Sequence, residues 1–363
     1  MTIGQSQKLV TALTCWLAAV AALNLHLQNP WWAAISAWVL ASADRTALAQ
    51  KAVLRIFGTV LGCLLGCVLA IELEPSPVGQ LLALFLIGFV ANYFHSISKY
   101  AYAWVVGSVS ALLLLATSMT VTGTVLQNMA VYRGLEIICG VVAASIGDAV
   151  LVAWFRPTDF AKDFGELSRT ASSFAKATED KSPAQPKNKP AVATAVSAAD
   201  LKIAVASGLS AIAIPLLWLI FQLPEIAQSL VTALVTLQGD KSQSRNRGSQ
   251  RIAGCLLGGA LGLLFALTGF RSFGWWSITF VAGLTIMAIL HVSTSRFAYL
   301  GTQGGVAFIM ALVSENGPPE NVWPALSRLS GMVLGVVITI VILHLVELFA
   351  EHAGRRARVA RSR

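Results

Sequence analysis

The chain has 363 residues, of which 56% are hydrophobic and 12% charged, with a formal net charge of +9 and a mean hydropathy of +0.71. A soluble domain of this length needs far more polar surface to stay dispersed, so the composition excludes a soluble enzyme or binding module and indicates an integral membrane protein. It also excludes reading the positive charge as a nucleic-acid-binding face, which requires a soluble basic surface.

Apolar runs of about 20 residues match the roughly 30 Å hydrocarbon core and predict spanning helices. In chain order they lie near 9–27, 31–43, 53–72, 78–95, 100–123 and 132–155, then near 202–221, 225–239, 251–270, 274–292, 297–313 and 327–349. The second helix of each set is short for a span. The first run reaches Leu27 with no clear small-x-small cleavage site before the next, so it reads as a retained helix rather than a signal peptide. Between the sets lies SPAQPKNKPAVATAVS, which buries too little apolar surface to fold alone. Just before it, Phe160, Phe164, Leu167, Ala171 and Phe174 share one helical face. That pattern fits a short helix on a membrane surface, or a partly ordered continuation of the preceding helix. The expected organisation is a first six-helix membrane repeat (1–156), a cytoplasmic linker, partly helical then disordered (157–200), a second six-helix repeat (201–350) and a basic cytoplasmic tail (351–363).

Lys and Arg cluster on one side of this arrangement: Arg45, Lys51 and Arg55, then Lys99, then Arg156, Lys162 and Arg169, and finally RRARVARSR. The opposite connections, ELEPSP at 72–77 and SENGPPENVWP at 314–324, are acidic or neutral, with Arg271 the main exception. The positive-inside rule then places both termini and the linker in the cytoplasm.

The chain also repeats itself. Arg55, Gly58, Gly62 and Gly66 return 196 residues later as Arg251, Gly254, Gly258 and Gly262, and Asp44 and His95 return as Asp240 and His291. SKYAY at 98–102 returns as SRFAY at 295–299, Gly107 as Gly304, Arg133 as Arg328 and Gly140 as Gly335. Matches in four regions, in one order, predict an all-α membrane fold of about twelve helices built as two six-helix repeats of the same orientation, with a pseudo-twofold axis along the membrane normal.

The repeated residues are the candidate site. Small residues at i, i+4 and i+8 let helix backbones approach closely in lipid, so the two glycine ladders mark either a seam between the halves or packing within each bundle. Arg55 and Arg251 read as cytoplasmic anchors, as partners of Asp44 and Asp240, or as substrate-binding cations. Arg133 and Arg328 fall near the outer ends of the sixth helices, where positive-inside predicts no arginine, and a substrate role is stronger there. Glu136, one turn on, reads as the ion-pair partner of Arg133. Lys99 and Arg296, beside Tyr100, Tyr102, Phe297 and Tyr299, suit an aromatic acid or an ordinary interface anchor, and Trp275 and Trp276 read as interface belt. Asp148 within the sixth helix is a proton-coupling candidate or a snorkelling carboxylate; its counterpart is Leu343, next to His344. His95 and His291 are further proton-coupling candidates or interface histidines. Cys15, Cys63, Cys67, Cys139 and Cys255 fall in spans as small packing residues, with no metal-ligand spacing, so neither a metal nor another cofactor is expected. There is no GxxxxGK[ST] sequence for nucleotide hydrolysis by a P-loop and no nucleophile-and-base arrangement, so the chain does not read as an enzyme.

NPWWAAISAWVLASADRTALAQKAVLRIFGTVLGCLLG at 29–66 resembles the signature of the fusaric acid resistance and aromatic acid exporter family: an aromatic pair opening a short second helix, a polar turn, an arginine, then the glycine ladder. RGLEIICGVVAA at 133–144 is similar to that family's later arginine-plus-glycine helix. The resemblance covers nearly all of 8–155 and, more loosely, 202–350; the second copy lacks the paired Trp31 and Trp32 and shows Glu225 and Ile226 nearby instead. It implies a bacterial inner-membrane protein that exports aromatic or other organic carboxylates, often alongside a periplasmic adaptor protein. Members commonly carry a large cytoplasmic domain after a six-helix unit; here the intervening segment is about 44 residues. Arginine matches a carboxylate with planar, bidentate donors. Three readings follow: a secondary exporter of organic anions, a passive anion channel similar to the plant aluminium-activated malate transporters, or a non-transporting membrane scaffold.

Overall fold

A computed structural model of the chain describes residues 3–41, 45–74, 76–121, 123–155, 197–237, 241–268, 272–293 and 295–361. Asp44, Asp240, Arg271 and nearly all of the linker, including its amphipathic front end, lie outside the described residues. The described residues form twelve helices and no strand. The first six are α1 (Ile3–Asn24), α2 (Trp31–Leu40), α3 (Arg45–Glu72), α4 (Pro77–Ile97), α5 (Ala101–Thr117) and α6 (Thr124–Phe155). The second six are α7 (Ala198–Phe221), α8 (Ile226–Thr236), α9 (Lys241–Leu267), α10 (Phe273–His291), α11 (Ala298–Leu312) and α12 (Trp323–Arg361). Eight helices are long and apolar enough to cross a membrane, and the four shorter ones, α2, α5, α8 and α11, take the second and fifth places of each set. This is an all-α membrane protein.

The ends differ from the apolar runs for physical reasons. Hydropathy sees only the lipid-matched part of a helix, whereas the hydrogen-bonded ladder continues into polar sequence. Thus α3 and α9 begin at Arg45 and Lys241, within RTALAQKA and KSQSRNRG, and α12 runs on to Arg361. α7 starts at Ala198, fixed by a capping box in which Ser197 accepts from the Asp200 N–H and the Asp200 carboxylate accepts from the Ser197 N–H. The break between α5 and α6 falls earlier than composition suggests: α5 ends at Thr117 and Gly123, at φ 68°, precedes α6. Arg133 is therefore nine residues into α6, about 13 Å from its start, rather than near a helix end.

Packing follows the repeat. Within the first six, α3 lies on α5, α6 on α1 and α2, and α4 on α5; within the second, α9 lies on α11, α12 on α7 and α8, and α10 on α11. Between the sets the contacts are reciprocal: α4 meets α7 as α1 meets α10, and α5 meets α8 as α2 meets α11. Such exchange is what a twofold relation produces. The short helices α2 and α8, about 15 Å long, sit inside this arrangement with most residues buried, whereas the long helices turn residues such as Phe57, Leu61, Leu64, Leu256 and Leu264 outward. Large apolar side chains turned outward suit a lipid surround.

The glycine ladders pack within each set rather than between the two. Gly58, Gly62 and Gly66 lie on Ala103, Gly107 and Ala111 of α5, and Gly254, Gly258 and Gly262 lie on Leu300, Gly304 and Ala311 of α11. A separate close approach joins the sets: a Cβ at Gly88 of α4 would stand 2.9 Å from the Ser207 carbonyl, and one at Gly208 of α7 would stand 2.9 Å from that of Phe85. Beside it the buried Asn92 amide donates to Ser207 Oγ at 2.8 Å. Asn92→Ala removes the donor and opens a gap in this seam; we expect a loss of about 1–3 kcal/mol, read as a lower unfolding midpoint in detergent, with Gly134→Ala, which meets no atom within 4 Å, neutral or stabilising.

Candidate functional site

The start of α2 gathers four of the sequence's unusual residues. Pro30 is its N-cap and Trp31 and Trp32 are its first two residues, both buried. Arg133 of α6 stacks its guanidinium 3.7 Å above the Trp32 ring, and Arg328 of α12 stacks at the same distance above the Trp31 ring. The two arginines of the repeat thus meet neighbouring rings of a single helix, held by cation–π attraction that strengthens when water is excluded.

They differ in what else they touch. Arg328 Nη1 donates to the carbonyls of Met310 and Val313 at 3.2 and 3.3 Å, capping the C-terminal end of α11, where carbonyls point outward unpaired. Arg133, 9% exposed, leaves both Nε and Nη1 without a hydrogen-bond partner. Glu136 does not satisfy them: its Oε1 accepts from the Asn29 N–H at 2.7 Å, just ahead of α2, and its Oε2 has no partner. Trp31 Nε1 is likewise buried without an acceptor. A buried cluster richer in donors than in acceptors favours an anion.

In the second set the acid has changed place. Gly331 occupies the position equivalent to Glu136, and Glu225 the one equivalent to Asn29. A Cβ at Gly331 would stand 2.9 Å from the Glu225 Cβ, so glycine leaves room for that acid. Glu225 lies between α7 and α8; burial raises its carboxyl above the ordinary range, and the positive charge of Arg328 opposes the shift. The Arg328 contact with Trp31 is visible only once the helices are packed, whereas the swap can be read by applying the repeat offsets to Asn29 and Glu136.

Arg55 and Arg251 make matching contacts. Arg55 donates to Tyr102 Oη at 2.8 Å and Ser36 Oγ at 3.1 Å. Arg251 donates to Gln303 Oε1 at 2.7 Å and Thr232 Oγ1 at 3.0 Å. Each ties a short helix, α2 or α8, to the fifth helix of its set, and each keeps a buried Nε without a partner. Tyr102 reads from sequence as a neighbour of Lys99, and the other three oxygens carry no signal except the offset that pairs Ser36 with Thr232.

The other candidates lie apart. Lys99 and Arg296 cover the rings of their own neighbours, Tyr100 at 4.9 Å and Phe297 at 4.8 Å. Asp148, about 22 Å along α6 from Arg133, lines a small cavity with Gln7, Thr11 and Thr14 of α1 and Ala37 of α2. His95 lies in the last turn of α4. His291, at the end of α10, stacks on Trp38 of α2 at 4.3 Å, donates from Nε2 to the Trp38 carbonyl at 2.9 Å and has Thr302 Oγ1 2.8 Å from Nδ1. Trp38 returns a bond from Nε1 to the Thr302 carbonyl at 2.9 Å, so this histidine fastens α2 to the second set. Among the described residues no group of three His, Cys, Asp or Glu is placed to hold a metal ion.

The p-hydroxybenzoic acid efflux pump subunit AaeB of Pantoea ananatis is 30% identical over 149 residues, covering 37% of this chain and 23% of the relative. Those of Pectobacterium atrosepticum and Shigella boydii are 25% and 28% identical over 154 and 152 residues, covering 40% and 39% of this chain and again 23% of each relative. The chain thus spans about a quarter of the length of these curated relatives. No solved structure matches it. The fusaric acid resistance protein-like family matches residues 14–147 and again 210–347, one match to each set of helices, and the chain belongs to that family.

Proposed function

We propose that the protein is a secondary transporter of the bacterial inner membrane that exports organic anions, with aromatic carboxylates as the substrate class. The observation that carries this reading is Arg133: a guanidinium buried on a tryptophan ring, with two N–H donors unspent and its neighbouring acid turned to a backbone amide. A carboxylate supplies the missing acceptors in a bidentate geometry, and the Trp31 and Trp32 rings suit an aromatic body. The relatives, named as p-hydroxybenzoic acid efflux pump subunits, support the same class. The two six-helix repeats, 1–156 and 201–350, then form the halves that alternate around the site, and a periplasmic adaptor protein is the partner in export.

The test uses p-hydroxybenzoate. Purified protein in nanodiscs is expected to bind it saturably and to ignore p-hydroxybenzamide, its neutral analogue; a strain lacking the gene is expected to become more sensitive to the acid. No binding, with unchanged sensitivity, overturns the reading. Single-channel currents in planar bilayers would replace the transporter by a passive channel.

The proposed orientation has its own check. In a background without native cysteines, single cysteines at the exposed positions Glu74 and Asn316 are expected to react with an impermeant reagent in intact cells, and one at His352 only after permeabilisation. Labelling of His352 in intact cells reverses the orientation.

A further inference from the structure

Glu136 is fully buried, at 0% exposure, yet it belongs to none of the proton-coupling candidates read from sequence. It holds the Asn29 N–H with Oε1 and leaves Oε2 unpartnered, three residues from an arginine that also lacks partners. The acids and bases of the helices packed on α6 are few near this pair. Arg55 of α3 is a second buried guanidinium, holding Tyr102 of α5, Cys63 of α3 is a buried thiol, and Arg328 of α12 stacks on the neighbouring Trp31 ring. The described part of α1 contributes Lys8 and Cys15 along its length, and α2 none. With both groups ionised, Arg133 and Glu136 cancel each other's charge, and Arg55 adds a positive charge held by Tyr102 and Ser36.

A carboxylate ligand on Arg133 upsets that balance. Two carboxylates on one guanidinium in a water-excluded site set like charges side by side, while Arg55 is spent on Tyr102 and Ser36, and two carboxylates sharing one site do not both stay ionised. We propose that Glu136 takes up a proton when a carboxylate occupies Arg133, so that the site loads an anion and a proton together. The proton comes from water and forms an O–H bond on Glu136, and no bond in the ligand breaks. The Arg133–Glu136 pair is neutral before, as Arg133⁺ with Glu136⁻, and neutral after, as Arg133⁺ with the bound anion and protonated Glu136, while the charges of Arg55 and Arg328 are the same in both states. A transport step of this kind moves no net charge, so membrane voltage does not act on it; in export the outward anion gradient drives it against the inward proton gradient. In the second set Gly331 stands in the equivalent place, and Arg328, beside the displaced acid Glu225, already spends Nη1 on the Met310 and Val313 carbonyls, so the device is assigned to the first. The inference rests on reading Arg133 as the carboxylate site.

Calorimetric titration of the full chain in nanodiscs with p-hydroxybenzoate, repeated at neutral pH in buffers of different ionisation enthalpy, counts the protons taken up. The expected result is about one proton per anion bound by the unaltered protein, falling to about zero in Glu136→Gln with binding retained. Binding without proton uptake by the unaltered protein overturns the inference and leaves the carboxylate site standing. Proton uptake that persists in a folded Glu136→Gln variant assigns the proton elsewhere, with Glu225 the next acid to replace, and also overturns it. Absence of binding by the unaltered protein sinks the carboxylate reading itself. Should Glu136→Gln not fold, the count on the unaltered protein and on Glu136→Asp, expected again to be about one, decides the matter.

Discussion

Glutamine in place of Arg133 is expected to weaken p-hydroxybenzoate binding by about 1.5–3 kcal/mol, roughly 10- to 150-fold, measured by titration in nanodiscs. The side chain keeps an amide donor but loses the charge, the two-pronged face and the contact 3.7 Å above Trp32. Lysine at the same position restores charge without the planar fork, so it recovers part of the loss. Arg328→Gln separates from this pattern. Because Arg328 Nη1 already serves the carbonyls of Met310 and Val313, its removal uncaps α11 and is expected to lower the unfolding midpoint more than it lowers affinity. Equal losses of affinity at the two positions, with unchanged stability, would show that the arginines act as a symmetric pair and that the asymmetry in their contacts has no functional weight.

That asymmetry marks where reading the sequence stopped. Helix number, the pairing of Arg55 with Arg251 and of Arg133 with Arg328, and the short second helices were legible because lipid imposes length and apolarity on every span and because the duplication repeats rare charges at fixed offsets. Partners were not legible. Ser36, Thr232 and Gln303 are unremarkable polar residues, and Tyr102 reads as a neighbour of Lys99, until helix packing brings them to a guanidinium. Glu136 looked like a partner for Arg133 at helical spacing, but the backbone break before α2 presents the Asn29 N–H as a competing donor, and the carboxylate takes it. Trp38 and His291 lie 253 residues apart and join two helices whose contact depends on how the halves face one another. Local periodicity carries no information on such contacts.

The glycine ladders had two readings, and the contacts select packing within each set. Their energetic weight is steepest at the middle rungs. A Cβ at Gly62 would collide with the Gly107 carbonyl, and one at Gly258 with the Gly304 carbonyl; in both cases the obstacle is backbone, which cannot rotate aside as a side chain does. Gly62→Ala and Gly258→Ala are each expected to cost about 1–3 kcal/mol by forcing α3 from α5 or α9 from α11, and leucine more. The effect should reach the site, since Arg55 and Arg251 sit on the same helices two turns before these glycines and hold Tyr102 and Gln303 across the same seams. A widened seam lengthens those bonds and frees α2 or α8. Thermal unfolding in detergent reads the first consequence and p-hydroxybenzoate affinity the second. Because Trp31, Trp32 and the Asn29 amide all ride on α2, Gly62→Ala should lower affinity more than Gly258→Ala at equal loss of stability. An alanine at Gly62 that leaves both stability and affinity unchanged would mean that α3 and α5 separate without cost, and that the α3–α5 seam does not position the arginine and tryptophan cluster.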